Sequence, residues 1–344
     1  MRWNSILPVC IFSATFLVSA DVAKVGVFVV DDRTGEPMKD VSVTGSFRMD
    51  NGWLAFKGGE PPNRDSAVTD VNGRCRLRGR TNCGRMGVWA RNPPSGYYAP
   101  RRGWGRRFSE KNLLGIWQPD NLVATIRLQR VERPIPLFVK RVAKVTHGVF
   151  TADIFPKGED TLRYDLLMGD WLPPVGTGRV ADVTFTRHPR EDLGEGVNGA
   201  DVRGPSYRDS MTVRFPGEGN GLVELHPPPS YRLRIRTAPE DGYRSEYLCW
   251  RGTNRKLEDD SNYDENRCFC FRIRTCRDDR GRIVGAYYGK IYGDITFAYQ
   301  FRPEFVPASV CMSYYLNPTP LDRNLEWDRK TNLGPDRVDY DLLP

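Results

Sequence analysis

The stretch KVGVFVVDDRTGEPMKDVSVTG, Lys24 to Gly45, decides the reading of the fold. Val25, Val27 and Val29 recur at every second position, which in an extended chain places all three on one face, and Val41 and Val43 resume the pattern. Between them lie Thr34, Gly35, Glu36 and Pro37, residue types that favour tight turns. The spacing predicts two β-strands joined by a polar turn, the opening hairpin of a β-sandwich.

Upstream, residues 1–20 carry a single charge, Arg2, then an apolar run from Ile6 to Val18, then Val18-Ser19-Ala20 before Asp21. The run is shorter than the ~20 residues a bilayer span needs and ends in small residues suited to cleavage. The expectation is a removed signal peptide and a secreted, periplasmic or cell-envelope protein. No later stretch is apolar enough to predict a transmembrane segment. Leu7-Pro8-Val9 before Cys10 lacks the small residue of a lipid-attachment signal.

The remaining chain is long enough to bury about 75% of its unfolded surface and to form more than one domain. The 33 glycines and 26 prolines favour short strands and turns over long helices. The net charge of the full chain is +8, and Arg2 is the only charged residue lost with residues 1–20. Seven cysteines remain after Cys10, namely Cys75, Cys83, Cys249, Cys268, Cys270, Cys276 and Cys311. A strand from Arg74 that turns near Gly79 sets Cys75 and Cys83 symmetrically about the turn, which predicts a disulfide between them. Cys268 and Cys270 sit two apart on one face of a strand, too far apart for ordinary bridge geometry, and Cys249, Cys276 and Cys311 remain as their candidate partners.

Downstream of the opening pair, Gly58-Gly59-Glu60-Pro61-Pro62 reads as loop, and Asp70-Val71-Asn72-Gly73 as a turn. Arg74 to Arg80 alternates cleanly, with Cys75 and Leu77 on one face and Arg74, Arg76, Arg78 and Arg80 on the other. Met86 to Ala90 and Leu122 to Leu128 read as strands, and Ser109 to Ile116 as a short helical turn. These residues together resemble a known family. Val25-x-Val27 leading to Asp31-x-x-Thr34-Gly35-x-Pro37, then Val41-x-Val43 and Thr69-Asp70-x-Asn72-Gly73, is similar to the carboxypeptidase regulatory-like domain of the transthyretin-like group. The resemblance covers the first third of the chain. It implies a seven-stranded, Ig-like or transthyretin-like sandwich without catalytic function. Related adhesin domains that form an internal Lys-Asn crosslink carry a lysine two residues before the motif's aspartate, where this chain has Val29.

Pro134-Ile135-Pro136 marks a boundary. Beyond it, alternating runs at Leu137 to Val145, Thr161 to Leu167, Val180 to Phe185, Met211 to Phe215, Leu222 to Leu225, Tyr231 to Ile235, Cys268 to Thr275, Ile283 to Tyr292 and Ile295 to Phe301 suit strands. They predict a larger β-sandwich or jelly-roll-like domain. The expected organisation is therefore all-β: signal peptide 1–20, regulatory-like sandwich 21–132, second β-rich domain 133–316 and an irregular, surface-draped tail 317–344.

Three features bear on function. From Arg74 to Arg107 there are ten arginines and no acidic residue. Its later part interleaves Tyr97, Tyr98 and Trp104 with Arg101, Arg102, Arg106 and Arg107, a loop suited to hold an acidic glycan, an envelope polymer or an acidic protein, since guanidinium forks grip carboxylate and sulfate and rings stack on flat faces. The duller explanation is a set of solvated arginines with aromatics sealing a sandwich edge. Nucleic acid shares the electrostatics, but export and the lack of a recognition motif exclude it. The second feature, Glu258 to Glu265, is acidic without EF-hand spacing and reads as a solvated hairpin loop rather than a calcium site. The third, Asp165, Asp170 and Trp171 ahead of Leu172-Pro173-Pro174, has the residue types of a glycosidase site; in a chain with 43 carboxylates a structural role is favoured. The three histidines, His147, His188 and His226, lack the ligand spacing of a zinc peptidase and read as surface or loop residues. No Gly-x-Ser-x-Gly, Walker or His-Glu-x-x-His motif occurs. The sequence thus favours a binding or structural protein with no catalytic residues, metal or cofactor. The alternatives are a glycan-active enzyme with an accessory sandwich, and a surface-assembly subunit.

Overall fold

The structure is a computed structural model that describes residues 22–48, 63–98, 104–112, 116–142, 144–146, 149–151, 153–154, 160–195, 205–226, 235–252, 261–264, 267–298 and 309–334. The expected signal-peptide segment, the glycine- and proline-rich loop, His147 and half of the acidic stretch lie outside these residues. Tyr231 to Ile235 lies outside them except for Ile235. The chain divides into two compact units, Met1–Val131 and Glu132–Pro344. Every regular element among the described residues is a strand.

Unit 1 contains strands β1 (Val22–Asp31), β2 (Ser42–Phe47), β3 (Asn63–Val68), β4 (Arg74–Arg80), β5 (Arg85–Asn92), β6 (Trp104–Arg107), β7 (Glu110–Lys111), β8 (Trp117–Gln118) and β9 (Val123–Leu128). A three-stranded sheet in the order β4-β1-β9 and a four-stranded sheet in the order β3-β2-β5-β6 share one core. That core takes Val25, Val27 and Val29 from β1, Leu77 from β4 and Ile126 from β9, against Val43 and Phe47 from β2 and Val88 from β5. Each large apolar side chain buried this way contributes about 1.5–3 kcal/mol. The strand-period burial expected for the opening stretch holds, and the sandwich has its seven strands.

The two opening strands are not a hairpin, however. The tight turn exists: the Gly35 N–H donates to the Asp31 carbonyl at 2.9 Å and the Met38 N–H to the Val29 carbonyl at 2.9 Å. At Asp40, with φ of 60°, the chain then leaves this sheet, and β2 pairs with β3 and β5 in the opposite one. Thr69 secures the crossing, because its hydroxyl donates to the Met38 carbonyl at 2.7 Å and accepts the Val41 N–H at 3.0 Å. Gly73 has φ of +69°, and a Cβ there would lie 2.5 Å from the Val29 carbonyl oxygen, so only glycine fits.

Two further expectations for unit 1 are corrected. Cys75 and Cys83 are free thiols. The strand runs on through Arg80 rather than turning at Gly79, so Cys75 and Arg80 are about 17 Å apart along it. Cys83 lies beyond the strand end, where its thiol contacts the Arg48 carbonyl. Cys249, Cys270, Cys276 and Cys311 are also thiols outside any disulfide. The helical turn expected over Ser109 to Ile116 is instead a small hairpin in which β7 pairs with β8.

Unit 2 continues with β10 (Ile135–Val142), β11 (Lys144–Thr146), β12 (Val149–Thr151), β13 (Asp153–Ile154), β14 (Thr161–Asp165), β15 (Asp170–Trp171), β16 (Val183–Arg187), β17 (Glu191–Glu195) and β18 (Pro205–Arg214). It ends with β19 (Gly221–Leu225), β20 (Glu246–Gly252), β21 (Cys268–Arg277), β22 (Ile283–Ile291), β23 (Thr296–Ala298), β24 (Ser309–Asn317) and β25 (Trp327–Asn332). One sheet runs β19-β21-β22-β24-β10-β25, with β13 and β23 joining β24; another runs β15-β14-β16-β18-β17, with β20 joining β18. Phe269, Phe271 and Tyr314 of the first meet Tyr164, Phe185 and Val213 of the second in one core. The first sheet is covered on its other face as well, by Ala238 and Leu325 over Cys270 and Tyr288, and its own Trp327 packs against Tyr315. β21 is therefore buried at every position from Cys268 to Ile273.

The described part of the tail, residues 317–334, is not a surface drape. Asn317 and Leu325 are buried, and Trp327 begins β25, which pairs parallel to β10. The Glu326 carboxylate accepts the N–H groups of Glu132 and Arg133. Ile135 and Pro136, read as part of a connector, lie inside β10, with Pro136 at a register shift between Ile135 and Leu137. β20 and β21 belong to different sheets; of the acidic stretch between them only residues 261–264 are described, and there Ser261 bridges Arg251 antiparallel.

Candidate functional site

Among the described residues of the arginine and aromatic ribbon, the side chains do not share one face. Tyr97 is drawn into a structural network: its hydroxyl donates to Asp31 Oδ2 at 2.6 Å, and Arg130 Nη2 donates to the same oxygen at 3.1 Å and to the Tyr97 hydroxyl at 3.0 Å. Burial pushes the Asp31 carboxyl up, but the hydrogen bonds from Tyr97, the Thr34 and Arg33 N–H groups and Arg130 outweigh it and hold the group below the usual carboxylate range. The Tyr98 N–H donates to the Gln129 carbonyl at 2.8 Å. Trp104 is half-buried and packs against the core. Arg106 lies opposite Met86 and Arg107 opposite Arg85, so the pleat sends the two guanidinium groups to opposite faces of the sheet. Arg101 and Arg102 lie outside the described residues.

Asp165 and Asp170 are committed to turns. Asp165 accepts the N–H groups of Leu167, Met168, Arg179 and Val180 and pairs with Arg274 Nη2 at 2.7 Å. Asp170 accepts the Trp171 and Thr177 N–H groups and the Thr177 hydroxyl, each at 2.8 Å. Trp171 is buried edge-on against Tyr164 and Phe185. Arg274 also binds Asp182, at 2.8 Å from Nε. Burial raises the Asp182 carboxyl, whereas at Asp165 the backbone N–H groups and Arg274 overcome burial and lower it. Two acids with opposed shifts form a pattern known from glycosidases, but the side chains of Asp165 and Asp182 are each 1% exposed. Neither has the solvent contact that substrate and water require.

His188 Nε2 meets the Thr212 hydroxyl at 2.7 Å. His226 sits between Glu224 Oε1 at 2.9 Å and Asp264 Oδ2 at 3.2 Å. Among the described residues no group of three or more His, Cys, Asp or Glu side chains is placed to hold a metal ion. No helix among them is long and apolar enough to cross a membrane.

The most distinctive charged surface is the outer face of the β4-β1-β9 sheet. The register sets Arg80 beside Val22, Arg78 beside Lys24, Arg76 beside Gly26 and Arg74 beside Phe28. Lys24 and the four arginines are all exposed. Arg74 lies over the Phe28 ring, 5.0 Å from its centre. Among the described residues none of Lys24, Arg74, Arg76, Arg78 and Arg80 pairs with a carboxylate. A groove of about 950 Å³ runs over Lys24, Gly26, Arg74, Arg76, Arg78 and Val123. Asp65, Asp70, Asp120 and Asn121 also line it. The alternating arginines of β4 were legible as a solvent face; Lys24 was not, because only strand pairing brings it beside Arg78.

No protein-family model and no curated protein matches the chain. Among solved structures, 3-chlorocatechol 1,2-dioxygenase from Rhodococcus opacus 1CP is 15% identical over 33% of this chain and 61% of its own, with a TM-score of 0.24. The shaft pilin SpaA from Lactobacillus rhamnosus GG is 11% identical over 58% of this chain and 90% of its own, with a TM-score of 0.22. A streptococcal ancillary pilin is 12% identical over 54% of this chain and 59% of its own, also with a TM-score of 0.22. The chain thus spans about three fifths of the dioxygenase and of the ancillary pilin. Likenesses at these TM-scores carry no argument about function.

Proposed function

We propose that the protein is a non-catalytic binding protein that acts outside the cytoplasm, secreted or in the periplasm or cell envelope, and engages an acidic partner through unit 1. The partner class is an acidic glycan, an envelope polymer or an acidic protein. The observation that carries this reading is the row of exposed cations on β4 and β1 with no carboxylate partner among the described residues. Uncompensated guanidinium groups on a rigid sheet favour anions at little cost in ordering. Export rests on residues 1–20 alone.

The enzyme alternative is weakened because the candidate carboxylates Asp165 and Asp170 are saturated by backbone N–H groups. The test is retention of the full-length protein on immobilised heparin, polyuronate and polyglutamate at rising salt, beside an uncharged matrix. Retention on at least one polyanion that salt releases is expected. Elution with the uncharged control from all three at low salt would overturn the reading.

A further inference from the structure

We infer that the outer face of β4 and β1 is a binding site for an acidic polysaccharide chain, seated along Arg74, Arg76, Arg78 and Arg80 with Lys24 beside them. The inference rests on the acidic-partner reading above and narrows it in two respects, place and ligand chemistry.

The place follows from register. Arg74 to Arg80 occupy alternate positions of one strand, so their side chains emerge in line over about 20 Å. Lys24 doubles the charge at Arg78, and Gly26 beside Arg76 leaves the middle of the face without a side chain. An extended polymer can therefore lie along the strand in the groove with its anionic groups over the guanidinium row. By contrast, β6 splits Arg106 and Arg107 between faces, and the ribbon has lost Tyr97 to the Asp31 network.

The ligand chemistry follows from what else lines the groove. Carboxylates or sulfates suit the guanidinium forks, while Asp65, Asp70, Asp120 and Asn121 offer acceptors to hydroxyl donors. A polymer carrying both anions and hydroxyls matches this mixture. A DNA backbone supplies phosphates but no free sugar hydroxyls for the groove's acceptors. An acidic peptide would gain most by adding a strand at the β4 edge, but two of that edge's N–H groups are already taken: the Arg78 N–H donates to Asp65 Oδ2 at 2.8 Å and the Arg74 N–H to Asp70 Oδ1 at 2.9 Å. The face is therefore open to side-chain recognition while strand addition at its edge is impeded.

The test is calorimetric titration of the full-length protein with a heparin decasaccharide, oligogalacturonate and polyglutamate at several salt concentrations. Wild type is compared with Arg76→Ser/Arg78→Ser and with Arg106→Ser/Arg107→Ser. The first variant is expected to lose tenfold or more in affinity for one of the two saccharides and to lower the salt slope by about two. The second is expected to bind within about twofold of wild type. Arg76→Lys/Arg78→Lys keeps the charge and removes the forks, so it should bind between wild type and the serine variant. It also carries the test if the serine variant melts early. Wild-type-like binding by the variants at Arg76 and Arg78, with loss at Arg106 and Arg107, would overturn the inference and leave the acidic-partner reading intact. Tighter binding of polyglutamate than of both saccharides would overturn the ligand class. Failure of wild type to bind any of the three would remove both readings.

Discussion

Replacing Lys290 with methionine tests the energetics of unit 2 where they are least ordinary. Lys290 is buried in the middle of a sheet, opposite Cys270 on β21 and Tyr315 on β24. Its ammonium donates to the Ile235 carbonyl at 2.9 Å and the Leu325 carbonyl at 2.7 Å and lies 5.3 Å from the centre of the Tyr315 ring. Burial pulls its pKa down from 10.5 to about 8, more than its neighbours restore. In that interval the unfolded chain holds a proton that the folded chain has released, so the stability owed to this residue rises with pH. It is fully present above 10.5 and lost as pH falls through about 8. The interval corresponds to about 3 kcal/mol. The apolar variant has no such dependence, although it leaves two carbonyls without this donor at a cost of about 1–3 kcal/mol each. Burial also raises the Cys270 thiol, to about 12, which tilts both proteins the opposite way and largely cancels in their difference. Urea unfolding followed by tryptophan fluorescence from pH 7 to 10.5 gives that difference. Wild-type stability minus variant stability should climb by about 3 kcal/mol across the range. A flat or falling difference would refute the buried-ammonium argument.

Three further outcomes follow from the packing. Tyr97→Phe removes the 2.6 Å bond to Asp31 and should cost about 1–3 kcal/mol, since the acceptor is charged. Because Asp31 is held below its ordinary pKa, the lost stability lies above the unfolded carboxylate pKa and fades as pH falls. Acid titrations of wild type and variant should therefore converge at low pH, and a constant gap would contradict the assignment. Gly79→Ala places a Cβ 2.1 Å from the buried Phe47 ring and should destabilise unit 1 by about 1–3 kcal/mol, read as a lower urea midpoint. Asp165→Asn breaks a buried pair with Arg274 and weakens its hold on the turn N–H groups. A loss of about 3–5 kcal/mol is expected, and an unchanged melting temperature would count against its structural role.

The sequence carries the sandwich of unit 1 because one face of each strand is buried, so Val25, Val27, Val29, Leu77 and Ile126 keep a period of two. The same logic fails where a sheet is covered twice. β21 is buried from Cys268 to Ile273, Arg272 included, so Cys268 and Cys270 on one face read as apolar as Phe269 and Phe271 on the other, and the layer over Cys270 and Tyr288 leaves no periodic trace. The segment after Asn317 was misread for a related reason: Leu325 and Trp327 anchor it with two side chains rather than an alternating run. Pairing partners were the other illegible quantity. The turn at Gly35 has the chemistry of a hairpin, yet Asp40 carries β2 to the other sheet. The Cys75 and Cys83 pairing was expected because the end of β4 was placed too early.

For the functional surface, charge type was legible and placement was not. The arginine density from Arg74 to Arg107 was plain in the sequence, but which guanidinium groups share a face depends on register. β4 gathers four of them beside Lys24, whereas β6 separates two and the Asp31 network binds Tyr97.

The most direct measurement is arginine-selective labelling with phenylglyoxal, read by peptide mass spectrometry, with and without a saturating heparin decasaccharide. Arg74, Arg76, Arg78 and Arg80 should label readily in the free protein and become protected together in the complex, with Arg106 and Arg107 labelled equally in both. Protection at Arg106 and Arg107 with the β4 arginines unchanged, or protection nowhere at saturation, would contradict the placement of the anion-binding face.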